Sequence, residues 1–144
     1  MAKVATNRMG RSTKGGEPMA TCSTVLIAEP GDDLTDGLQL WVRDNGHHLL
    51  TVDKFTDLLI TLQREKVNVL VMDASLPQER AYESLSIIKG LCQRLPIIIC
   101  AAENNPEQEA LIRQKGIFYY HVTSFGLEEL MMAIANALVR SAHA

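Results

Sequence analysis

The chain has 144 residues and a mass of 15.9 kDa, room for one domain of ordinary size. Hydrophobic residues make up 47% and charged residues 22%, which excludes wholesale disorder, and the longest nearly unbroken apolar run, residues 95–102, is far short of the ~20 residues of a membrane helix. The net charge of −3 is uneven: in residues 1–22 Lys3, Arg8, Arg11 and Lys14 face Glu17 alone, a net +3 that leaves −6 on the remainder, so the body of the chain is not built to bind nucleic acid.

Residues 1–22 also hold Gly10, Gly15, Gly16 and Pro18 and show no apolar periodicity, which predicts a flexible basic tail without the apolar centre of a secretory signal. From Thr24 the pattern changes. Residues 25–28 are a short apolar run closed by Glu29, Pro30 and Gly31, as for a buried strand entering a turn. Asp32 and Asp33 offer carboxylates to the free amides of a helix start, and Leu34, Leu38, Trp41 and Val42 form one helical face that Asn45 and Gly46 stop. The cycle then repeats. Residues 48–52 form a weak strand, Phe55, Leu58, Leu59 and Leu62 a helical stripe, and residues 67–72 a strong strand ending at Asp73. Tyr82, Leu85, Ile88 and Cys92 mark a third helix, residues 96–101 a fourth strand, and residues 106–115 a helix stopped by Gly116. Residues 117–122 read as the fifth strand, and Leu127, Leu130, Met131, Ile134 and Leu138 as the last helical stripe.

Five strands alternating with five helices through short connections demand parallel strands and right-handed crossovers. We therefore expect a doubly wound α/β domain over residues 23–144, a five-stranded parallel sheet with helices on both faces. Cys22, Cys92 and Cys100 make neither a disulfide framework nor a metal-ligand spacing, and read as reduced thiols in a cytoplasmic protein. His47 and His48 are adjacent, not i, i+4, and read as a solvated turn; His121 reads as a core or edge histidine, and Met131 and Met132 as packing. No dinucleotide or P-loop glycine motif follows the first strand, and no Ser, His and acid set converges on a strand end.

Function in such sheets gathers at the carboxyl ends of the strands, where Glu29, Asp73, Ala101 and Thr123 arrive. Val25-Leu26-Ile27-Ala28-Glu29, Val69 to Pro77, Pro96 to Ala102 and Gly116 to Phe125, with Leu127 to Leu130, together resemble the receiver domains of bacterial two-component response regulators, over about residues 23–141. The resemblance implies the flavodoxin-like strand order 2-1-3-4-5 and a phosphoacceptor aspartate at Asp73. It implies weak Mg²⁺ binding at Glu29, Asp73 and the backbone carbonyl of Ser75, and switch positions at Ala101, Tyr120 and Thr123. A histidine kinase, a downstream signalling protein or a second copy of the chain would be the partner. Against the family's kit, Pro30 takes the place of a second acid, Ala101 that of a hydroxyl, Thr123 that of a lysine, and Ser124 that of the proline after it. Transfer to a carboxylate depends on charge stabilisation, so these losses predict weak phosphotransfer or none.

Asp73 therefore has two readings, a phosphoacceptor in a phosphorelay or a cap on its own loop. Glu29 is a metal ligand or a solvated turn residue. For the whole chain the alternatives are a receiver that still switches, a pseudo-receiver scaffold that does not, and a flavodoxin-like binder of a small ligand. With a tail and one domain, no output domain is expected within these residues, and no catalytic activity of its own.

Overall fold

The computed structural model describes residues 3–4, 22–77 and 81–142. Its elements in chain order are β1 (Lys3–Val4), β2 (Thr24–Ala28), α1 (Asp33–Asp44), β3 (His48–Val52), α2 (Phe55–Arg64) and β4 (Val69–Asp73), then α3 (Ala81–Leu91), β5 (Ile97–Ala101), α4 (Pro106–Arg113), β6 (Tyr119–Val122) and α5 (Leu127–Ala142). The sheet order is β1-β3-β2-β4-β5-β6. Strands β3, β2, β4, β5 and β6 are all parallel, which is the expected 2-1-3-4-5 order.

One strand was not expected. Lys3 and Val4 pair antiparallel with Thr51 and Leu50, adding a two-residue edge outside β3. A two-residue strand carries no periodicity, so the sequence gives no sign of it. Apart from these residues and Cys22, the expected flexible tail lies outside the described residues.

Alternation along the strands divides the core into two layers. Leu26, Leu70, Met72, Ile97 and Ile99 face α2, α3 and α4, where Leu58, Leu62, Leu85, Ile88 and Ile112 meet them. Val25, Ile27, Val69, Val71 and Ile98 face α1 and α5, packing on Leu34, Leu38, Val42, Leu130, Ile134 and Leu138. Because both faces are covered, β2, β4 and β5 are apolar on both sides through their buried positions, and Val25–Ala28, Val69–Met72 and Ile97–Cys100 are wholly buried, with polar Thr24 and Asp73 only at strand ends. Each buried Val, Leu, Ile or Met among them contributes roughly 1.5–3 kcal/mol.

Helix ends follow local chemistry. At α1 the chain turns through Gly46 at φ +80, which spares a Cβ the left-handed strain. At α4 the Asn105 side chain accepts from the Gln108 amide at 3.0 Å, ahead of Pro106 in the first turn. Strands β4 and β6 begin two residues later than periodicity suggests, at Val69 and Tyr119, because the residues before them serve the turns. The Asn68 side chain accepts from the Thr24 amide at 2.8 Å.

Candidate functional site

Parallel register brings the candidate residues to one rim. Ala28 lies beside Met72, Asp73 beside Cys100, and Cys100 beside His121, so Glu29, Asp73, Cys100 and His121 form one row across four strands. Ala101 and Val122 are paired one step further on, and Thr123 follows in a short 3-10 turn, Thr123–Phe125. Glu29 and Asp73 thus end neighbouring strands on the same edge, as the sequence expectation requires.

Glu29 is not a solvated turn residue. It is 3% exposed, and its carboxylate turns into the start of α1. The Leu34 amide donates to Oε1 at 2.9 Å, while the Thr35 amide and hydroxyl donate to Oε2 at 2.8 Å and 2.9 Å. Both oxygens are therefore engaged on a helix N-terminus, where amides and dipole favour an anion. The caps expected from Asp32 and Asp33 are not the ones used: Asp32 stands at the N-cap position without a side-chain cap bond. Thr35, whose hydroxyl completes the clamp, escaped sequence reasoning, and its only signal is a β-branched polar residue inside the first helical turn.

Asp73 is half-buried at the end of β4. Its Oδ1 accepts from the Ser75 amide at 2.8 Å and the Ser75 hydroxyl at 2.7 Å, the loop-capping geometry of an Asx turn. The Leu76 amide donates to the Asp73 carbonyl at 3.0 Å and closes the turn. Ser75 is thus brought to Asp73 through its amide and hydroxyl.

At the remaining positions, Ala101 is buried and Thr123, Ser124 and Phe125 are exposed. Tyr120 is turned inward, 5% exposed, and its hydroxyl has no hydrogen-bond partner among the described residues; Ala101, on the neighbouring strand, has no side-chain oxygen to offer it. Burial pushes the Cys100 thiol far up, helped by the nearby Asp73 and Glu29 carboxylates, so this cysteine stays protonated. His121 is the core histidine expected, 1% exposed, stacked 6.2 Å from Tyr119. Among the described residues neither ring nitrogen has a partner at full hydrogen-bond geometry. Burial holds its pKa below the ordinary value, a pull that the Gly126 backbone and Glu129 oppose without reversing. Away from the rim, His47 and His48 are half-buried, not solvated, because His48 already belongs to β3. Met131 packs on the core, but Met132 faces outward, 66% exposed.

These residues do not fit a divalent cation as they stand. Mg²⁺ takes one or two carboxylates in an octahedral set, yet Glu29 has spent both oxygens on α1 and Pro30 supplies none. Among the described residues no three His, Cys, Asp or Glu side chains gather as a metal site. The cavity beside Glu29, about 130 Å³, is lined by Asp32, Thr35, Thr51 and Asp53 and does not reach Asp73. It is also well below the roughly 300 Å³ of ordinary ligand pockets.

Residues 25–135 match the family model for the response regulator receiver domain. The chain belongs to the response regulator receiver family. Among curated relatives of this receiver is the uncharacterized transcriptional regulatory protein YbdJ of Bacillus subtilis, 30% identical over 114 residues, covering 79% of this chain and 50% of YbdJ. The transcriptional regulatory protein GlrR of Escherichia coli is 24% identical over 83% of this chain and 27% of its own length. The receiver thus spans half or less of these relatives. The signal receiver domain of an HD domain-containing protein from Pseudomonas fluorescens superposes with a TM-score of 0.77 at 19% identity, covering 86% of this chain and all of that one. No helix among the described residues is long and apolar enough to cross a membrane.

Proposed function

We propose that this receiver is a pseudo-receiver: a cytoplasmic signalling domain that acts through protein–protein contacts without phosphoryl transfer at Asp73. The observation that carries this reading is the Glu29 clamp, which commits the first acidic position to the start of α1. With Pro30, Ala101 and Thr123 at the other positions, the second acid, the fourth-strand hydroxyl and the lysine ammonium that would stabilise a transferring phosphoryl group are missing from those positions, and the Ser75 hydroxyl is engaged in holding Oδ1 in the turn. The lost lysine bond alone, worth ~1.5–3 kcal/mol, corresponds to about ten- to a hundredfold in rate. Partner contacts fall to the exposed surface of α4, β6 and α5, where Leu111, Phe125 and Met132 are 50%, 62% and 66% exposed. Because YbdJ and GlrR are named as transcriptional regulatory proteins, we place the partner in transcriptional control.

The test is acetyl phosphate with Mg²⁺ followed by intact mass. We expect no adduct, and no change in melting temperature on adding Mg²⁺. A phosphoryl adduct on the wild type, lost in Asp73→Asn, would overturn the reading.

One observation favours a second reading. Asp73 remains half-buried at the rim, and among the described residues the hydrogen bonds to its carboxylate, both from Ser75, fall on Oδ1. A kinase able to bring its own charge stabilisation would find Oδ2 available, and the domain would then be a phosphorelay receiver. Labelling by a histidine kinase but not by acetyl phosphate would identify this case.

A further inference from the structure

At the opposite edge of the sheet, where β5 and β6 begin, three cations line one cleft of about 320 Å³. Lys89 comes from the last turn of α3 and Arg140 from the last turn of α5, while Arg94 lies in the loop before β5. Phe118 and Pro96 supply an apolar wall, and no Asp or Glu lines the cleft. The Arg140 guanidinium sits over the Phe118 ring, 5.5 Å from its centroid. The Lys89 ammonium lies against Gly116, 3.9 Å from where a Cβ would stand. None of the three cations pairs with a carboxylate among the described residues.

This concentration runs against the charge of the domain. Residues 23–144 carry −6, yet three of their ten Lys and Arg residues meet here. Helix dipoles account for part of it, since Lys89 and Arg140 stand where helix carbonyls favour a cation. They do not account for Arg94, which belongs to no helix, nor for the cleft between the three. Like charges focused into a concave site raise the local concentration of an anion, and guanidinium groups match phosphate oxygens two at a time. The volume is at the lower end of the roughly 300–1,000 Å³ of small-molecule pockets. We propose that this cleft binds a phosphate-bearing polyanion through Lys89, Arg94 and Arg140.

The proposal does not depend on what happens at Asp73, which lies at the other ends of the strands. Titration calorimetry with pyrophosphate and with ADP tests a free solute. Flotation with phosphatidylcholine vesicles, with and without phosphatidylinositol 4-phosphate, tests a lipid headgroup. We expect saturable binding in at least one arm, weakening as NaCl is raised, and at least tenfold weaker in Arg94→Gln, a loop variant at an exposed position. Lys54→Gln, at the far edge of the sheet, should leave it unchanged. Arg140→Gln should weaken binding as Arg94→Gln does; if it fails to fold, Lys89→Gln takes its place. No saturable binding in any arm, or binding unaltered in these variants, would overturn the proposal.

Discussion

Glu29 and Asp73 reach the rim by register, but each then satisfies itself locally: Glu29 on two amides and a hydroxyl of α1, Asp73 on Ser75. A carboxylate so engaged gives up charged hydrogen bonds if it turns toward a cation. His121 supplies a separate residue-scale test. An imidazole whose pKa is depressed by folding binds its proton less readily in the folded chain than in the unfolded one. Its contribution is therefore complete above the unfolded value of 6.5 and is lost as pH falls toward the lower folded value. His47 acts in the same direction, its pKa lowered by burial and by His48. Stability should thus fall below pH 6.5, and His121→Leu should make that fall shallower when melting temperature is followed against pH.

At the scale of the element, the start of α1 separates two carboxylates that look alike in sequence. Glu29→Ala leaves two amides at a buried helix end without their acceptor and should cost about 2–4 kcal/mol in urea denaturation. Asp32→Ala removes no side-chain cap and should cost about 0.5 kcal/mol or less. Reversal of that order would show that the clamp is not what holds the helix. Elements with strong periodicity were legible: β2, β4, β5, α1 and α5 come from unbroken or heptad-like apolar patterns. The Lys3–Val4 strand was not, since its pairing with β3 depends on an edge that exists only once the sheet is folded.

For the whole molecule, signalling chemistry would depend on four strand ends acting together. We expect Pro30→Asp, Ala101→Thr and Thr123→Lys combined to give Mg²⁺-dependent phosphorylation at Asp73 by acetyl phosphate, with each change alone giving little; an inert triple variant would place the block at the Glu29 clamp itself. The charge distribution is likewise a property of the whole. Arg140 is distant in sequence from Lys89 and Arg94, and the three meet only because α3 and α5 end at the same edge of the sheet. Sequence alone determined the doubly wound fold, the rim on which Glu29 and Asp73 meet, and the replacements at Pro30, Ala101 and Thr123, because apolar period and residue identity are local quantities. Tertiary structure decided where each carboxylate spends its hydrogen bonds and which cations share a cleft. Those outcomes depend on which donors lie within about 3 Å, and distances between segments are set only when the segments pack.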